Sequence, residues 1–305
     1  MKRRMMKFHC LTMLAVVSLA QSSVLHADTE VATAQGLEAL GATVVLEGDR
    51  VVELSFRDSK RLGNEQWRAI GSLTHLKKLT AYGGAKGLND ETVGFLVGLQ
   101  ELESLSLDGA QLSDGGLAKL AELKRLKRVS FFHLSFRKEG FTGEGFSAWT
   151  ELPDLESLTV AGMSMGDDGF RAIATLTNLR QLRTWHTYRT EASNAEIAKL
   201  PRLTTLKLGQ RLPQRGNAPL SLSDASLETL TQIKTLETLE IGEADFHLPA
   251  LRQLAKLPRL KQLKIDRTYL SEADIDALKS ALPGVQIGFE PLTEDQRKKL
   301  DAYLK

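Results

Sequence analysis

The sequence predicts an α/β solenoid, right-handed and horseshoe-shaped, with a parallel sheet on the concave face and short helices on the convex face. Two observations carry this. Apolar residues recur with a period of 24 along most of the chain, and each recurrence joins a period-two portion to one with helical spacing. The composition agrees: 42% hydrophobic and 26% charged residues describe an ordinary globular body, neither a disordered chain nor a multi-span membrane protein. With aromatics at only 6%, the core must be mainly aliphatic.

Before the repeats, residues 1–27 read as a secretory leader: Lys2, Arg3, Arg4 and Lys7, an apolar run from Leu11 to Ala20, then small residues. Cleavage candidates follow Ala20 and Ala27. The apolar run is about half the ~20 residues a spanning helix needs, so no integral span is expected in the mature chain. Residues 28–50 read as an N-terminal cap, with a short helix and the first strand of a hairpin across Gly48-Asp49.

The solenoid is expected over 51–290. One clear unit runs Leu102, Leu105, Leu107, Leu112, Leu117, Leu120 and Leu123. The same offsets give Leu155, Leu158, Val160, Met165, Phe170, Ile173 and Leu176, and again Leu236, Leu239, Ile241, Phe246, Leu251, Leu254 and Leu257. The L-x-L portion alternates and so predicts a short strand with one buried face. The later L-x4-L-x-x-L-x-x-L portion places one apolar stripe on a helix that packs back against that strand. Ser113-Asp114, Ser223-Asp224 and Ser271-Glu272 stand where a hydroxyl caps the helix and an acid enters its first turn. Units start at Val51, Leu76, Leu102, Leu126, Leu155, Leu179, Leu203, Leu236 and Leu260, with a partial unit near Val285. The long spacings, 29 and 33, add five residues around Arg137–Gly145 and nine around Pro213–Pro219.

This pattern resembles the leucine-rich-repeat superfamily, and its strand-plus-helix units are similar to the ribonuclease-inhibitor branch as found in secreted bacterial proteins. Ala281-Leu282-Pro283 closes the last repeat helix as in those proteins. The resemblance spans about residues 30–290 and implies the leucine-rich-repeat solenoid, a scaffold whose variable positions bind. One departure stands out: the asparagine position of the family holds Ala110, Met163, Ala244 or Thr268. Loop backbone groups must then be satisfied by water or by backbone contacts instead of a side-chain ladder. Residues 291–305 read as a C-terminal capping helix opened by a Thr293/Gln296 capping box.

The formal charge is +2, but removing the four leader cations from 40 leaves 36 basic against 38 acidic residues, or −2. A near-neutral body has no bulk reason to seek nucleic acid. Cys10 is the single cysteine and lies in the leader, so the mature chain would carry no disulfide or thiolate chemistry.

Candidate site residues come from the non-leucine offsets of the strands, which face the concave side. The row is richest at its centre. Arg128, Phe132 and His133 are followed two units later by Arg183, Trp185, His186, Tyr188 and Arg189, then by Lys207 and Arg211; Tyr82 lies one unit before Leu102. Ser157, Thr159 and Ala161 lie between, so two aromatic-basic ridges flanking a low floor would form a cleft. Arg189 and Asn194 break the apolar template beside the insertions, which places irregularity near the same cleft. The ligand-binding set is therefore Tyr82, Arg128, Phe132, His133, Arg183, Trp185, His186, Tyr188, Lys207 and Arg211. Trp67 and Trp149 fall on apolar helix positions and are read as core.

No nucleophile elbow, phosphate-binding glycine loop or HExxH pair is present. His133 and His186 share an offset two units apart with no Cys or carboxylate at a matching offset, so neither a metal site nor a cofactor is expected. The reading is a non-enzymatic exported protein, periplasmic, in the cell envelope or extracellular, that binds an envelope protein, peptide or glycan. The alternative is a structural envelope component joined through its convex or end surfaces.

Overall fold

The computed structural model describes residues 30–136, 138–212 and 219–304. The leader read at 1–27, Arg137 and the middle of the nine-residue insertion lie outside the described residues. A helix over 30–38 (α1) opens them, followed by β1 (Ala42–Glu47) and β2 (Arg50–Phe56), an antiparallel pair around Gly48. Gly48 has φ +63°, the left-handed conformation such a tight turn demands.

After β2 every strand is parallel to the one before it. These are β3 (Lys78–Ala81), β4 (Ser104–Asp108), β5 (Arg128–Phe132), β6 (Ser157–Ala161), β7 (Gln181–Trp185), β8 (Thr205–Leu208), β9 (Thr238–Gly242), β10 (Gln262–Asp266) and β11 (Gln286–Phe289). All eleven form one sheet in chain order, as a solenoid requires. The backing layer alternates short α-helices with 3-10 turns. Its α-helices are α2 (Asn64–Gly71), α3 (Asp114–Lys119), α4 (Asp167–Ile173), α5 (Ala192–Ile197), α6 (Asp224–Leu230), α7 (Leu248–Leu251) and α8 (Glu272–Ala281). No helix among the described residues is long and apolar enough to cross a membrane.

The core is the template made physical. Leu105 and Leu107 of β4, with Leu112, Leu117, Leu120 and Leu123 behind them, are wholly buried, and the equivalent residues of the other regular units follow suit. Trp67 and Trp149 are 0% and 1% exposed, Trp149 donating its indole N–H to the Leu117 carbonyl at 3.0 Å. Each strand edge is satisfied only by the next unit, so no unit buries its own edge.

The missing asparagine ladder is replaced by something the sequence reading did not anticipate. At five units an acid at or just before the start of the helix reaches forward and holds the next unit. Asp90 accepts from Ser113 N at 2.7 Å; Asp114 accepts from Thr142 N, Gly143 N and Gly145 N at 3.0, 2.8 and 3.1 Å. Asp167 takes Thr190 N at 2.8 Å and the Ser193 hydroxyl. Glu191 takes the Ser223 and Ser226 hydroxyls at 2.6 Å each, and Asp224 takes His247 N at 2.9 Å. The expectation of water and backbone contacts alone is thus corrected. Ser113 caps its own helix, accepting from Gly116 N at 3.1 Å, while the acid beside it serves the neighbour.

The last helix, α9 (Glu294–Leu304), begins with the expected Thr293/Gln296 reciprocal bonds at 2.9 and 3.3 Å. It does not close the end of the stack beyond β11. It turns back along the strand ends, Asp301 accepting from the Tyr269 hydroxyl at 2.5 Å and the Tyr303 ring lying 5.7 Å from that of His186.

Two expectations follow from the acid ladder. Asp114→Ala strands three backbone donors and should lower stability by about 2–3 kcal/mol in denaturant titration, against under 1 kcal/mol for an exposed aspartate such as Asp276. Burial pushes the Asp90 and Asp167 carboxyls up. Hydrogen bonds from Ser113 and Lys138, and from Ser193 and Thr190, outweigh it and hold both below the ordinary aspartate value. The folded chain therefore binds fewer protons than the unfolded one, and this stabilisation is complete above the ordinary value and disappears as pH falls through the folded one. The melting temperature should be level from about pH 7 to pH 5 and fall below about pH 4; Asp167→Asn should flatten part of that fall.

Candidate functional site

Strand register places the concave side chains in columns. One column runs Ser130, Thr159, Arg183, Lys207, Glu240, Lys264; the next runs Asp108, Phe132, Ala161, Trp185 and, past β8, Gly242 and Asp266. In the second column large rings alternate with small or short residues. The alternation is what lets the rings meet across an intervening strand, since adjacent strands lie only ~4.8 Å apart. Tyr82 meets Phe132 edge-on at 5.9 Å, and Phe132 meets Trp185 at 6.1 Å with a 56° tilt. Both distances fall in the range of favourable aromatic pairs.

The low cleft expected between two ridges is therefore absent. Phe132 and Trp185 lean together over Ala161, which is buried, and the two ridges are one. The result is a continuous aromatic ridge, Tyr82–Phe132–Trp185, with Tyr82 39% exposed at its open end. Arg183 is exposed on the neighbouring column and Arg128 one column further, at the start of β5, and neither takes part in an ion pair among the described residues. Lys207 differs: its ammonium sits 5.1 Å from the Trp185 ring and 2.5 Å from Glu240, so its charge is already committed. Burial pushes the Glu240 carboxyl up, but the Lys207 bond and the charges of Lys207, Lys264 and Arg183 hold it below its ordinary value.

A hollow does exist, displaced toward the C-terminal half. A pocket of about 190 Å³ is walled by Trp185, Lys207, Glu240, Glu243, Asp266 and Arg267, with Gly209 and Gly242 in its floor. The glycines are obligatory here. A Cβ at Gly209 would lie 2.7 Å from the Trp185 Cβ, and one at Gly242 would lie 2.3 Å from the Asp266 carbonyl oxygen.

The residue that follows each strand supplies the rim. At seven units it adopts positive φ: Gly83, Gly109 and Gly162 take it freely, and His133, His186, Glu243 and Arg267 take it at φ +49° to +62°. Left-handed geometry costs a non-glycine residue about 1 kcal/mol, so each of these side chains is retained against a standing penalty. His133 donates from Nδ1 to Asp108 at 2.8 Å. His186 donates from Nε2 to Glu243 at 3.0 Å, Arg267 reaches the same oxygen at 2.5 Å, and Gln210 N donates to the other oxygen at 3.2 Å. Glu243 is 7% exposed; burial pushes its carboxyl up, but the His186 bond, the His186 and Arg267 charges and the Gln210 amide hold it below its ordinary value. The two histidines thus turn toward opposite ends of the sheet, and no group of three metal-ligating side chains forms among the described residues.

Two members of the sequence-derived set are displaced. Arg211 is only 5% exposed, and its guanidinium serves the Pro219 carbonyl at 2.6 Å and the Leu212 carbonyl at 3.1 Å. It anchors the nine-residue insertion and leaves the candidate surface. Tyr188 is half-buried in the turn beyond His186, its N–H held by the Met165 carbonyl at 2.8 Å.

The template break at Arg189 and Asn194 is likewise interior. Both are wholly buried. The Arg189 guanidinium donates to Asn194 Oδ1 at 2.7 Å, the Ser221 carbonyl at 3.1 Å and the Gly209 carbonyl at 3.0 Å. Burial pulls the guanidinium down to about 10, against the attraction of Asp167 and Glu191. This polar core ties the returning arm of the insertion to the pocket floor. Glu243, Arg267, Gly209 and Gly242 were absent from the sequence-derived set. The signal that could have found them is the column just after each strand, where three units carry glycine and four carry His, Glu or Arg.

No protein-family model and no curated protein matches the chain in sequence. Among solved structures, it is similar to a chain of the yeast Rad7–Elc1 complex, with a TM-score of 0.58 at 14% identity, covering 98% of this chain and 91% of that one. It is also similar to an internalin from Listeria monocytogenes, with a TM-score of 0.41 at 16% identity, covering 84% and 89%. The eleven-stranded sheet in chain order, its repeated leucine core and the first of these likenesses define the fold: this is a leucine-rich-repeat solenoid.

With Trp67 and Trp149 sealed in the core, Trp185 is the one partly exposed indole of the three. Acrylamide should quench a single red-shifted emission component, and Trp185→Phe should remove it. Quenching unchanged by that substitution would mean the ridge is not open to solutes.

Proposed function

We propose that this chain is an exported, non-enzymatic binding protein of the ribonuclease-inhibitor type, which holds a protein or peptide segment against its concave face. The carrying observation is the ridge itself. Three aromatic side chains from alternate units form one contact line, with exposed Arg183 on the next column and Arg128 beyond it, neither in an ion pair among the described residues. Trp, Tyr and Arg are the side chains that dominate protein recognition energetics, because they bury large rigid areas and form directional bonds at low entropy cost. Arg128 and Arg183 favour an acidic stretch in the partner, since Lys207 is already neutralised by Glu240. Release into the cell envelope or medium rests on the leader read at residues 1–27.

The test is cross-linked capture from the envelope fraction of the source organism with the unmodified protein beside an Arg183→Glu/Trp185→Ala variant, after circular dichroism shows both are equally folded. The variant should bind the captured partner at least tenfold more weakly. Equal capture would sink the concave reading and transfer the function to the convex helices and the ends of the stack.

A further inference from the structure

We propose that α9 is an intramolecular ligand of the rim along the strand ends of the concave face, standing where a partner segment carrying an aromatic ring with its own hydrogen-bond donor would lie. This inference rests on the concave face being the recognition surface. Only Leu300 of the helix is buried, at 4% exposure; the rest of its hold is peripheral. Asp301 accepts from the Tyr269 hydroxyl, and the Arg297 guanidinium sits 5.3 Å from the Tyr269 ring. At the far end the Tyr303 ring lies 5.7 Å from that of His186 at a 44° tilt, at the rim where His186 and Arg267 hold Glu243.

Tyr303 gives the contact its meaning. Its hydroxyl is buried without a hydrogen-bond partner, and burial together with the Glu243 charge pushes the phenol well above its ordinary range. Unpaired buried hydroxyls also occur at Thr184, Thr187 and Thr268 in the repeat body; Tyr303 differs in standing on a helix with one buried residue, so its uncompensated desolvation is not held in place by a surrounding core. Here the ring fits and the donor does not, as befits an occupant that gives way to a better one. An eleven-residue helix is also marginal on its own, so release removes it as a unit rather than residue by residue. The incoming group is defined by what Tyr303 lacks: a flat ring to cover His186, and a donor placed to reach the Glu243 carboxylate. A tyrosine or tryptophan of a partner protein meets both requirements. The acid that Asp301 presents to Tyr269 marks the neighbouring position.

The probe is a fluorescent peptide with the sequence of residues 292–304, titrated into the full chain and followed by anisotropy. In the unmodified protein α9 competes in cis and binding should be weak. Tyr303→Ala in the protein should strengthen peptide binding at least tenfold. Adding His186→Ala should abolish the gain, as should replacing the tyrosine of the peptide by alanine. Equal binding to the unmodified and Tyr303→Ala proteins would overturn the proposal. Amide hydrogen exchange gives a second measure that needs no peptide. His186→Ala should speed exchange across 297–304 at least tenfold and leave β7–β10 unchanged; equal acceleration of those strands would make Tyr303 an ordinary part of the fold and end the proposal. Neither readout uses the envelope partner, so loss of the concave reading through Arg183→Glu/Trp185→Ala is recognisable separately.

Discussion

The parallel pairing of each strand with the next is the constraint on which the rest of this molecule depends. A single 24-residue unit exposes one strand edge and one side of its leucine row, and neither can be satisfied within the unit. Pairing fixes the register, and the register fixes the columns in which concave side chains stand. Once Phe132, Ala161 and Trp185 share a column, the rings have only the space above alanine in which to meet. The forward-reaching carboxylates add a second inter-unit tie at the other end of the strand. They convert a weakness of the sequence, the missing asparagines, into a chain of charge-assisted bonds between successive helices.

The concave face divides chemically. Its N-terminal and central part is an aromatic ridge with uncommitted arginines, suited to adding a partner. Its C-terminal part is a hollow whose charges are already paired: Lys207 with Glu240, and Arg267 and His186 with Glu243. The two meet at Trp185, which ends the ridge and walls the pocket. Interior polarity supports this junction. Arg189 and Asn194 hold the Gly209 and Ser221 carbonyls from beneath, so a buried polar network ties the glycine floor to the chain that follows the insertion.

The leucine template was legible because burial of one face imposes its period directly on the residues, whatever lies elsewhere in the chain. The helix caps were legible for the same reason: Ser113 and the backbone it serves are three residues apart. What failed to show was the destination of polar side chains whose partners lie in another unit or across an insertion. Asp114 looked like a first-turn acid and proved to be the clamp of the following unit. Arg189 looked like a break in the apolar template and proved to be buried, its acceptors supplied by Asn194, Gly209 and Ser221. Arg211 looked available and was already used by Pro219.

By itself, then, the sequence determined the repeat, the alternation of strand and helix, and which side chains point to the concave side, since all three follow from local periodicity. Tertiary structure alone decided that the two ridges merge, that the hollow lies under Trp185 and Arg267, and that the last helix turns back onto His186. Ring contact across an intervening strand depends on the size of the residue between. Carboxylate pairing depends on which of several reachable cations comes nearest. The path of α9 depends on where Leu300 and Tyr303 find shelter. Each is a competition settled in three dimensions, with no period for a sequence to display.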